Sequence, residues 1–427
     1  MTDVPDVDDL AALYRDLHAH PELAFAEHRT AGIVAARLRG LGYQVTTGLG
    51  GTGVVGTMSN GTGPTVLLRA DMDALPVLEQ TGLDYASTAR GKDASGADVP
   101  VMHACGHDMH VTCLLGAAAE LAAKRDDAWH GTLLLVFQPA EETGEGAKAM
   151  LDAGLYDQFP VPDVVLGQHV APLPVGVLGV HSGPAFAAAD ALRVVLHGRG
   201  GHASRPETTV DPVLMAAATV LRLQGIVSRE VAGGETAVVT VGSLHAGSTS
   251  NVIPDQAELL LSVRSYDETV RGTVLRAIDR IVTAEAAASG APAAPEIESL
   301  GGFPVHRNDA AACARLTDAF SAGVGLALDP GPVTGSEDVS LLATAAGVPC
   351  AYWLLGGADP ALFAGIATVD DAKKIVAGLP PNHSSVYAPV VEPTIRTGVA
   401  ALTAAARAWL TPPGTTPGAT PETPAQG

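Results

Sequence analysis

Residues 65–73, TVLLRADMD, form an apolar run of strand length that ends directly in two aspartates. Two further runs of this kind also end in residues that commonly bind metal ions: residues 132–142, TLLLVFQPAEE, and residues 164–169, VVLGQH. Strands that are apolar throughout, separated by helix-length segments, are typical of a mostly parallel sheet covered by helices on both faces. Because such sheets bind ligands at the carboxyl ends of their strands, the three runs predict one shared site in an α/β fold.

The alternation of helices and buried strands is interrupted in the middle of the chain and resumes after residue 300. Residues 191–300 predict the order βαββαβ, which is that of a ferredoxin-like α+β unit. We therefore predict a discontinuous catalytic domain of residues 1–187 and 301–411 with an inserted domain of residues 188–300. Residues 412–427 are rich in Pro, Thr and Gly and are predicted to form a disordered tail.

Composition and charge exclude several classes of function. The 46 acidic and 25 basic residues give a formal net charge of −21, and no Lys/Arg cluster offsets it locally, which argues against nucleic-acid binding. No apolar run has the length of a membrane span, and the acidic N-terminus MTDVPDVDDL does not resemble a secretory signal, so we expect a cytoplasmic protein. The four cysteines lack the spacing of a disulfide framework and are expected to be reduced.

The stretch MHACGHDMH concentrates histidines around one cysteine. Cys105 and His107 flank a glycine, so a turn can direct both side chains at one ion. A thiolate with an imidazole suits Zn or a similar divalent metal ion. A helix is expected to begin near Asp108, and we interpret His103 and His110 as surface or supporting residues rather than direct ligands.

The adjacent carboxylates of Glu141 and Glu142 have two interpretations. Pairs of glutamates are common on exposed helices. Here, however, the pair follows Gln138-Pro139 at the end of an apolar strand, where the backbone cannot simply continue. At such a turn one carboxylate can bind a metal ion while its neighbour holds the attacking water and moves its proton.

Eight stretches of the chain resemble the metal-dependent aminoacylase and carboxypeptidase family. The resemblance is strongest to its branch of hippurate hydrolases, indole-acetyl-amino-acid hydrolases and N-acetyl-diaminopimelate deacetylases. The stretches are RDLHAHPELAFAEHRTA, LLRADMDALPVLEQTG, MHACGHDMH, LLLVFQPAEETGEGAKAM, GRGGHASRPETTVDP, TSNVIPDQAELLLSVRSYD, TGSEDVSLLA and PPNHSSVYAP. They are distributed along nearly the whole chain, apart from the first few residues and the tail. The resemblance implies a zinc-peptidase-like catalytic domain with an inserted lid and dimerisation domain.

The resemblance also implies a two-metal site with Glu141 as general base and acid. The implied metal ligands are Cys105, His107, Glu142, His169 and His383. Cys105 would bridge the two ions, where other branches of the family use a bridging aspartate. We assign Glu142 and His383 to one ion, and His107 and His169 to the other. The ions are expected to be divalent, with Zn, Mn, Co and Ni as the candidates.

Asp71 and Asp73 occupy the place of a His-x-Asp motif in other branches, where the histidine binds metal and the aspartate orients it. This departure leaves direct ligation by Asp71 open, while Asp73 is expected to order the site from outside the ligand shell. A further departure is Arg205-Pro206-Glu207, where relatives often carry a histidine after the proline. The loop around Gly51 and residues 358–379 match nothing that can be tied to a substrate.

The resemblance places three candidate substrate contacts in the inserted domain. His202 would reach the oxyanion of the substrate, in the same chain or in the partner subunit of a homodimer. Asn251 and Arg264 are candidates for binding the scissile carbonyl or the substrate carboxylate. Arg264 has an alternative interpretation, because it could instead pair with the nearby Asp267. Glu337 is expected near the site, without an assigned role.

Together the motifs predict a metal-dependent amidohydrolase that cleaves N-acyl amino acids or related small amides by metal-activated water. A dipeptidase or carboxypeptidase of the same family is the nearest alternative, because sequence alone separates it poorly from an acylase. A non-catalytic metal-binding scaffold is disfavoured, because Glu141 is retained beside all five ligand types. A serine hydrolase is disfavoured too, because the chain has no G-x-S-x-G motif.

Overall fold

The computed structural model of the chain describes residues 6–124, 129–366 and 368–410. The chain divides into two compact units, which are described separately below. The first comprises Met1–Ser182, Asn308–Pro330 and Val339–Gly427, and the second comprises Gly183–Arg307 and Gly331–Asp338. The predicted disordered tail, residues 412–427, lies outside the described residues.

The helices and strands are numbered here in chain order. The helices are α1 Val7–Ala19, α2 His28–Gly40, α3 His107–Ala123, α4 Gly146–Asp152, α5 Leu155–Gln158, α6 Pro212–Leu223, α7 Gly225–Glu230, α8 Glu268–Ala288, α9 Ala310–Ser321, α10 Ser340–Ala346, α11 Val369–Gly378 and α12 Val391–Trp409. The strands are β1 Gln44–Leu49, β2 Gly53–Asn60, β3 Thr65–Asp71, β4 Arg90–Lys92, β5 Asp98–Pro100, β6 Gly131–Gln138, β7 Val164–Pro174, β8 Val177–Gly179, β9 Gly183–Phe186, β10 Ala188–His197, β11 Gly201–His202, β12 Ala237–Ala246, β13 Val252–Ile253, β14 Gln256–Ser265, β15 Glu296–Phe303, β16 His306–Asn308, β17 Leu326–Leu328 and β18 Cys350–Ala358.

The first unit is built on an eight-stranded sheet with the order β1-β2-β6-β3-β7-β18-β8-β17. Its centre is parallel: β3 pairs with β6 and β7, and β7 pairs with β18. Antiparallel pairs join β1 to β2, β2 to β6, and β18 to β8. The predicted α/β fold, a central sheet covered by helices, is confirmed. The three apolar runs that predicted the site form β6, β3 and β7, which are neighbours in the sheet, so their carboxyl ends lie at one edge.

The apolar character of these strands reflects burial on both faces. Leu133 to Phe137 of β6 and Leu67 and Leu68 of β3 are fully inaccessible to solvent. α1, α3 and α12 pack against one another, and α3 and α12 also contact the sheet. Nearly every side chain of α3 is buried, because this helix is surrounded by other elements rather than lying on the surface. Gly106, the residue directly before α3, is buried as well.

The second unit has a four-stranded antiparallel sheet with the order β12-β14-β10-β15. Along the chain its main elements follow one another as β10, α6, β12, β14, α8 and β15, with the short α7 after α6. Its core lies between this sheet and its helices and includes Met215, Leu259 and Ile278. The side chains of Asp211 and Asp267 accept backbone N–H groups at the starts of α6 and α8, which fixes both helix starts. The role of this unit as a lid and dimerisation domain stays a prediction.

No helix in the described part of the chain is both long enough and apolar enough to cross a membrane.

Candidate metal centre

Five side chains with metal-binding atoms form two overlapping groups at the carboxyl edge of the first sheet. The ligand atoms of Cys105, His107 and His169 lie within 4.8 Å of one another, and so do those of Cys105, Glu142 and His383. Cys105 belongs to both groups.

Individual distances define the centre more closely. Cys105 Sγ lies 3.4 Å from His169 Nε2. His383 Nε2 lies 3.3 Å from Glu142 Oε2, and His107 Nε2 lies 3.8 Å from Glu142 Oε1. The remaining carboxylate, Glu141, has its Oε2 atom 3.9 Å from His107 Nε2. Glu141 thus lies beside the ligand atoms without being needed to complete either group, although by distance alone it could form a group with His107 and Glu142.

Gly106 lets the chain carry Cys105 and His107 on either side of one turn. Its φ of +87° lies in the left-handed region that favours glycine. A Cβ atom at this position would lie 2.3 Å from Cγ1 of Val170, which follows His169 in β7. The glycine is therefore required both by the backbone conformation and by the close approach of β7. α3 begins directly after it, at His107.

Asp73 fixes the turn that carries the two glutamates. Its Oδ1 atom accepts the backbone N–H of Glu141, and its Oδ2 atom accepts that of Glu142, both at 3.0 Å. His107 Nδ1 is 3.4 Å from Asp73 Oδ1, which directs Nε2 of the same ring at the other side chains of the centre. Asp73 is fully buried. It lies outside the ligand groups and holds residues that belong to them.

The two remaining histidines are oriented by the backbone. His169 Nδ1 is 2.9 Å from the carbonyl oxygen of Val170, and as a donor it leaves the Nε2 lone pair facing Cys105. His383 has a φ of +71°, and its backbone N–H donates to the carbonyl of Ala104 at 2.8 Å. This bond joins the loop of His383 to the residue that precedes Cys105.

Asp71 and His110 are engaged with other partners. Asp71 Oδ2 accepts from Arg69 Nη1 at 2.6 Å, and Asp71 Oδ1 is 2.5 Å from His110 Nδ1. His110 Nε2 accepts the backbone N–H of Val170 at 2.8 Å, so its proton is on Nδ1 and points at Asp71. These two residues could form a ligand group with His107 by distance alone. Both oxygens of Asp71 and both ring nitrogens of His110 already have hydrogen-bond partners, and we therefore interpret the two residues as supports.

Of the two alternatives predicted for His103 and His110, a surface position or a supporting role, the surface position is wrong. Each of the two side chains is only 1% exposed. The prediction treated α3 as a surface helix, whereas α1, α12 and the sheet surround it. Burial lowers the pKa of His103 to about 4, so its ring is neutral at physiological pH.

A buried imidazolium, which the sequence analysis did not single out, supports the start of α3. His18 Nδ1 is 2.7 Å from Asp108 Oδ2, and His18 Nε2 is 3.0 Å from Glu79 Oε1. Burial disfavours the charged ring, but the bonds to Asp108 and Glu79 outweigh it and raise the pKa of His18 to about 10. His18, Asp108 and Glu79 all lie in stretches that carry the family resemblance. That resemblance was the only feature of the sequence that could have indicated their role.

The donor set fits divalent metal ions. Nε2 of His107 and Oε1 of Glu142 are buried and have no hydrogen-bond partner among the described residues. Burial raises the pKa of Glu142 to about 8, and burial together with Glu142 and Glu141 raises the pKa of the Cys105 thiol. Cations at this position would compensate the crowded negative charge and favour the deprotonated ligands.

The predicted substrate contacts belong to the second unit. His202 is exposed on β11, its Nδ1 atom accepts the backbone N–H of Ser204 at 3.1 Å, and Asn251 lies just before the paired strand β13. Arg264 donates to the hydroxyl of Ser336 at 2.5 Å. The alternative pairing of Arg264 with Asp267 is wrong, because Asp267 instead accepts backbone N–H groups at the start of α8.

A sheet that carries thiol, imidazole and carboxylate groups at its carboxyl edge, with a further carboxylate beside them, defines a candidate metallohydrolase. The profile of Peptidase family M20/M25/M40 matches residues 67–373. The chain belongs to this family.

The proteins similar to this chain include a member of the predicted branch. The chain is 36% identical to a thermostable carboxypeptidase 2 of Saccharolobus solfataricus over 90% of this chain and 92% of that protein. It is 41% identical to a hippurate hydrolase of Campylobacter jejuni, over 63% of this chain and 68% of that protein. A crystal structure of a Bacillus subtilis protein, described as a dinuclear metal-binding peptidase of the M20 family, superposes with a TM-score of 0.73 at 28% identity and covers 95% of this chain and 99% of that one.

The turn at Gly106 gives a direct test of this geometry. We expect Gly106→Ala to lower the free energy of unfolding by about 2–5 kcal/mol, the sum of a left-handed alanine and a steric overlap with Val170. Gly82→Ala is the matched control, because Gly82 has a φ of +74° and open space where the Cβ would lie. That variant should lose only about 1–2 kcal/mol. Equal losses in chemical denaturation would contradict the close approach of β7.

Proposed function

We propose that the chain is a metal-dependent amidohydrolase that hydrolyses the amide bond of N-acyl amino acids or related small amides. The observation that carries this proposal is the pair of ligand groups that share Cys105, with Glu141 beside them. The family supports an activity on amide bonds, and the relative named hippurate hydrolase supports an N-acyl amino acid as the substrate.

We assign the ligands of two divalent ions from this geometry. His107 and His169 would hold one ion, Glu142 and His383 the other, and Cys105 would bridge them. The solved relative described as dinuclear supports two ions. The thiolate and imidazole donors favour ions such as Zn, Mn, Co or Ni over Ca or Mg, which prefer oxygen ligands.

The chemistry divides between the ions and the chain. Divalent ions bound here would supply Lewis-acid chemistry, because such ions lower the pKa of water and polarise a carbonyl group. Glu141 then accepts a proton from the attacking water and later donates it to the leaving nitrogen. Asp73 keeps Glu141 in place through the backbone rather than through its side chain. This route requires no covalent intermediate with the enzyme.

Residues of the second unit would complete substrate binding. We assign His202 to the oxyanion that forms during attack, and such donors each contribute about 2.7–4 kcal/mol in other hydrolases. Asn251 and Arg264 would contact the scissile carbonyl or the substrate carboxylate. The side chains of His202 and Asn251 are exposed and are therefore accessible to a ligand.

The same unit supports a homodimer. Leu214 and Leu221 of α6 are 70% and 77% exposed, and β12, an edge strand, exposes Val238 and Leu244. Exposed apolar side chains on a helix and an edge strand are typical of a surface that pairs with another chain. We propose a cytoplasmic homodimer joined through residues 188–300. A mass of one chain in sedimentation equilibrium would contradict the dimer. Detection of the protein only in fractions outside the cytoplasm would contradict the location.

A carboxypeptidase or dipeptidase activity is the second candidate, because one relative is named thermostable carboxypeptidase 2. The purified protein should hydrolyse N-benzoyl and N-acetyl amino acids with a higher kcat/KM than free-amine dipeptides. Incubation with a chelator should abolish hydrolysis, and Zn, Mn, Co and Ni added in turn should identify the activating ion. A preference for dipeptides would select the peptidase, and hydrolysis that survives metal removal would exclude both.

The thiolate is tested by comparing the buried cysteines. We expect Cys105→Ser to lose metal and activity, because a neutral hydroxyl binds soft divalent ions far less well than a thiolate. Cys113→Ser is the matched control, since Cys113 is fully buried in α3 away from both ligand groups. It should reduce stability only. Similar metal contents in the two variants, measured by mass spectrometry of the metal ions, would exclude Cys105 as a ligand.

The two glutamates should respond differently to the same substitution. Glu141→Gln should retain both ions and lower kcat about 10²–10⁴-fold, the usual contribution of general acid–base catalysis. Glu142→Gln should lose one ion, because an amide oxygen carries no charge, and excess metal should partly restore its activity. Metal content is measured beside kcat for both variants.

Three outcomes of this comparison are informative. If Glu141→Gln loses metal and Glu142→Gln retains it, Glu141 is the metal ligand and Glu142 is the general base. Full activity of Glu141→Gln would exclude the mechanism. Restoration of Glu141→Gln by excess metal would make Glu141 a ligand.

A further inference from the structure

Few non-glycine residues have a left-handed backbone conformation in the described part of the chain. Among the described residues they are Phe25, Ala140 and His383, with φ values of +60°, +50° and +71°. His383 is a proposed ligand, and Ala140 directly precedes the proposed general base. Strained backbone is retained where surrounding interactions hold it, and such residues cluster at functional sites. The first and second of these residues share one partner.

That partner is Glu27, which is fully buried. Its Oε1 atom accepts the backbone N–H of Ala140 at 2.8 Å and that of Phe25 at 3.0 Å. The hydroxyl of Thr52 donates to its Oε2 atom in a short bond. The two oxygens of this buried carboxylate thus accept hydrogen bonds from two backbone N–H groups and one hydroxyl group.

Glu27 completes a row of hydrogen bonds along the turn after β6. Asp73 accepts the N–H groups of Glu141 and Glu142, and Glu27 accepts that of Ala140. Three consecutive N–H groups therefore donate to two buried carboxylates. The preceding residue, Pro139, has no N–H to donate. The whole start of the turn is held by acceptors that come from distant parts of the chain.

We propose that Glu27 is a positioning residue that holds Ala140 in its left-handed conformation and thereby aims Glu141 at the substrate. It acts on catalysis through the backbone and touches neither substrate nor metal. This inference rests on the proposed role of Glu141 as general base. Without Glu27, Ala140 relaxes toward the right-handed conformation that an L-residue prefers, and the carboxylate of Glu141 moves away from the attacking water.

The central experiment is a double-mutant cycle of Glu27→Ala and Ala140→Gly. Glu27→Ala should lower kcat about 10²-fold, which is the cost of displacing a catalytic group by about 1 Å, with KM and metal content little changed. Glycine has no left-handed penalty, so Ala140→Gly should raise the kcat of the Glu27→Ala enzyme about 5- to 30-fold. A residue needed only for stability gives no such rescue.

Conservative and matched variants separate positioning from folding. Glu27→Gln keeps an oxygen that accepts both N–H groups and should retain most of the kcat. Glu22→Ala is the control, because Glu22 accepts the N–H groups of Arg29 and Thr30 at the start of α2 instead. Glu22→Ala should reduce stability without reducing kcat. Adding Ala140→Gly to the Glu22→Ala enzyme should leave its kcat unchanged.

Hydrogen exchange gives a readout that does not depend on activity. The peptide that contains Ala140 should exchange faster in Glu27→Ala than in Glu22→Ala, in enzyme stripped of metal as well as in loaded enzyme. Should Glu27→Ala fail to fold, Thr52→Val removes only one partner of Glu27 and should give a smaller loss of kcat, also rescued by Ala140→Gly.

The possible results are decisive. An unchanged kcat in Glu27→Ala, or absence of rescue by Ala140→Gly, overturns the inference about Glu27. The proposed function fails separately, through full activity of Glu141→Gln. A reduced kcat in Glu141→Gln together with no rescue in the cycle would retain the general base and reject Glu27 as its positioning residue.

Discussion

The carboxylate of Asp73 accepts the backbone N–H groups of Glu141 and Glu142, each at 3.0 Å, across the edge between two neighbouring strands. This interaction exists because β3 and β6 are parallel and in a register that pairs Asp71 with Gln138. Their carboxyl ends therefore finish at the same level, and a side chain that follows one strand can bind the backbone that follows the other. The positions of both glutamates relative to His107 depend on it, and so do the two ligand groups.

Bringing so many acidic groups to one buried edge carries an electrostatic cost that the surrounding residues reduce. Arg69 is almost fully buried and donates both to Asp71 and to the amide oxygen of Gln138. Burial opposes ionisation of Asp71, but His107, His110 and Arg69 outweigh it and hold the pKa of Asp71 well below its usual range. A buried ion pair adds little to stability by itself. Here the ion pair keeps Asp71 charged and hydrogen-bonded to Arg69. We therefore assign the metal-binding groups to other residues.

The sequence predicted the strands and the convergence of their ends because apolar runs followed by acidic residues are a local signal. The resemblance supplied His383, which lies in a loop and has no pattern of its own. The environment of His110 was not predictable, since α3 is surrounded by elements from both ends of the chain and its burial depends on their packing. Arg69 was visible as a charged residue in an apolar strand, yet only the structure pairs it with Asp71. The partner of Arg264 was likewise invisible, because Ser336 is distant in sequence.

Ala140 marks the limit of what residue types can reveal. An alanine carries no functional group, and nothing in the letters QPAEE indicates that its φ is +50°. The conformation of Ala140 depends on residues that contact it in the fold. One of them, Glu27, lies over a hundred residues earlier in the sequence. Glu141 and Glu142 are chemically identical, so any difference in their roles must arise from the backbone that carries them. A left-handed residue directly before the pair changes the course of the chain at that point, and the buried acceptors Glu27 and Asp73 keep it so. Two equal side chains can thus have unequal tasks because the fold, rather than their chemistry, distinguishes them.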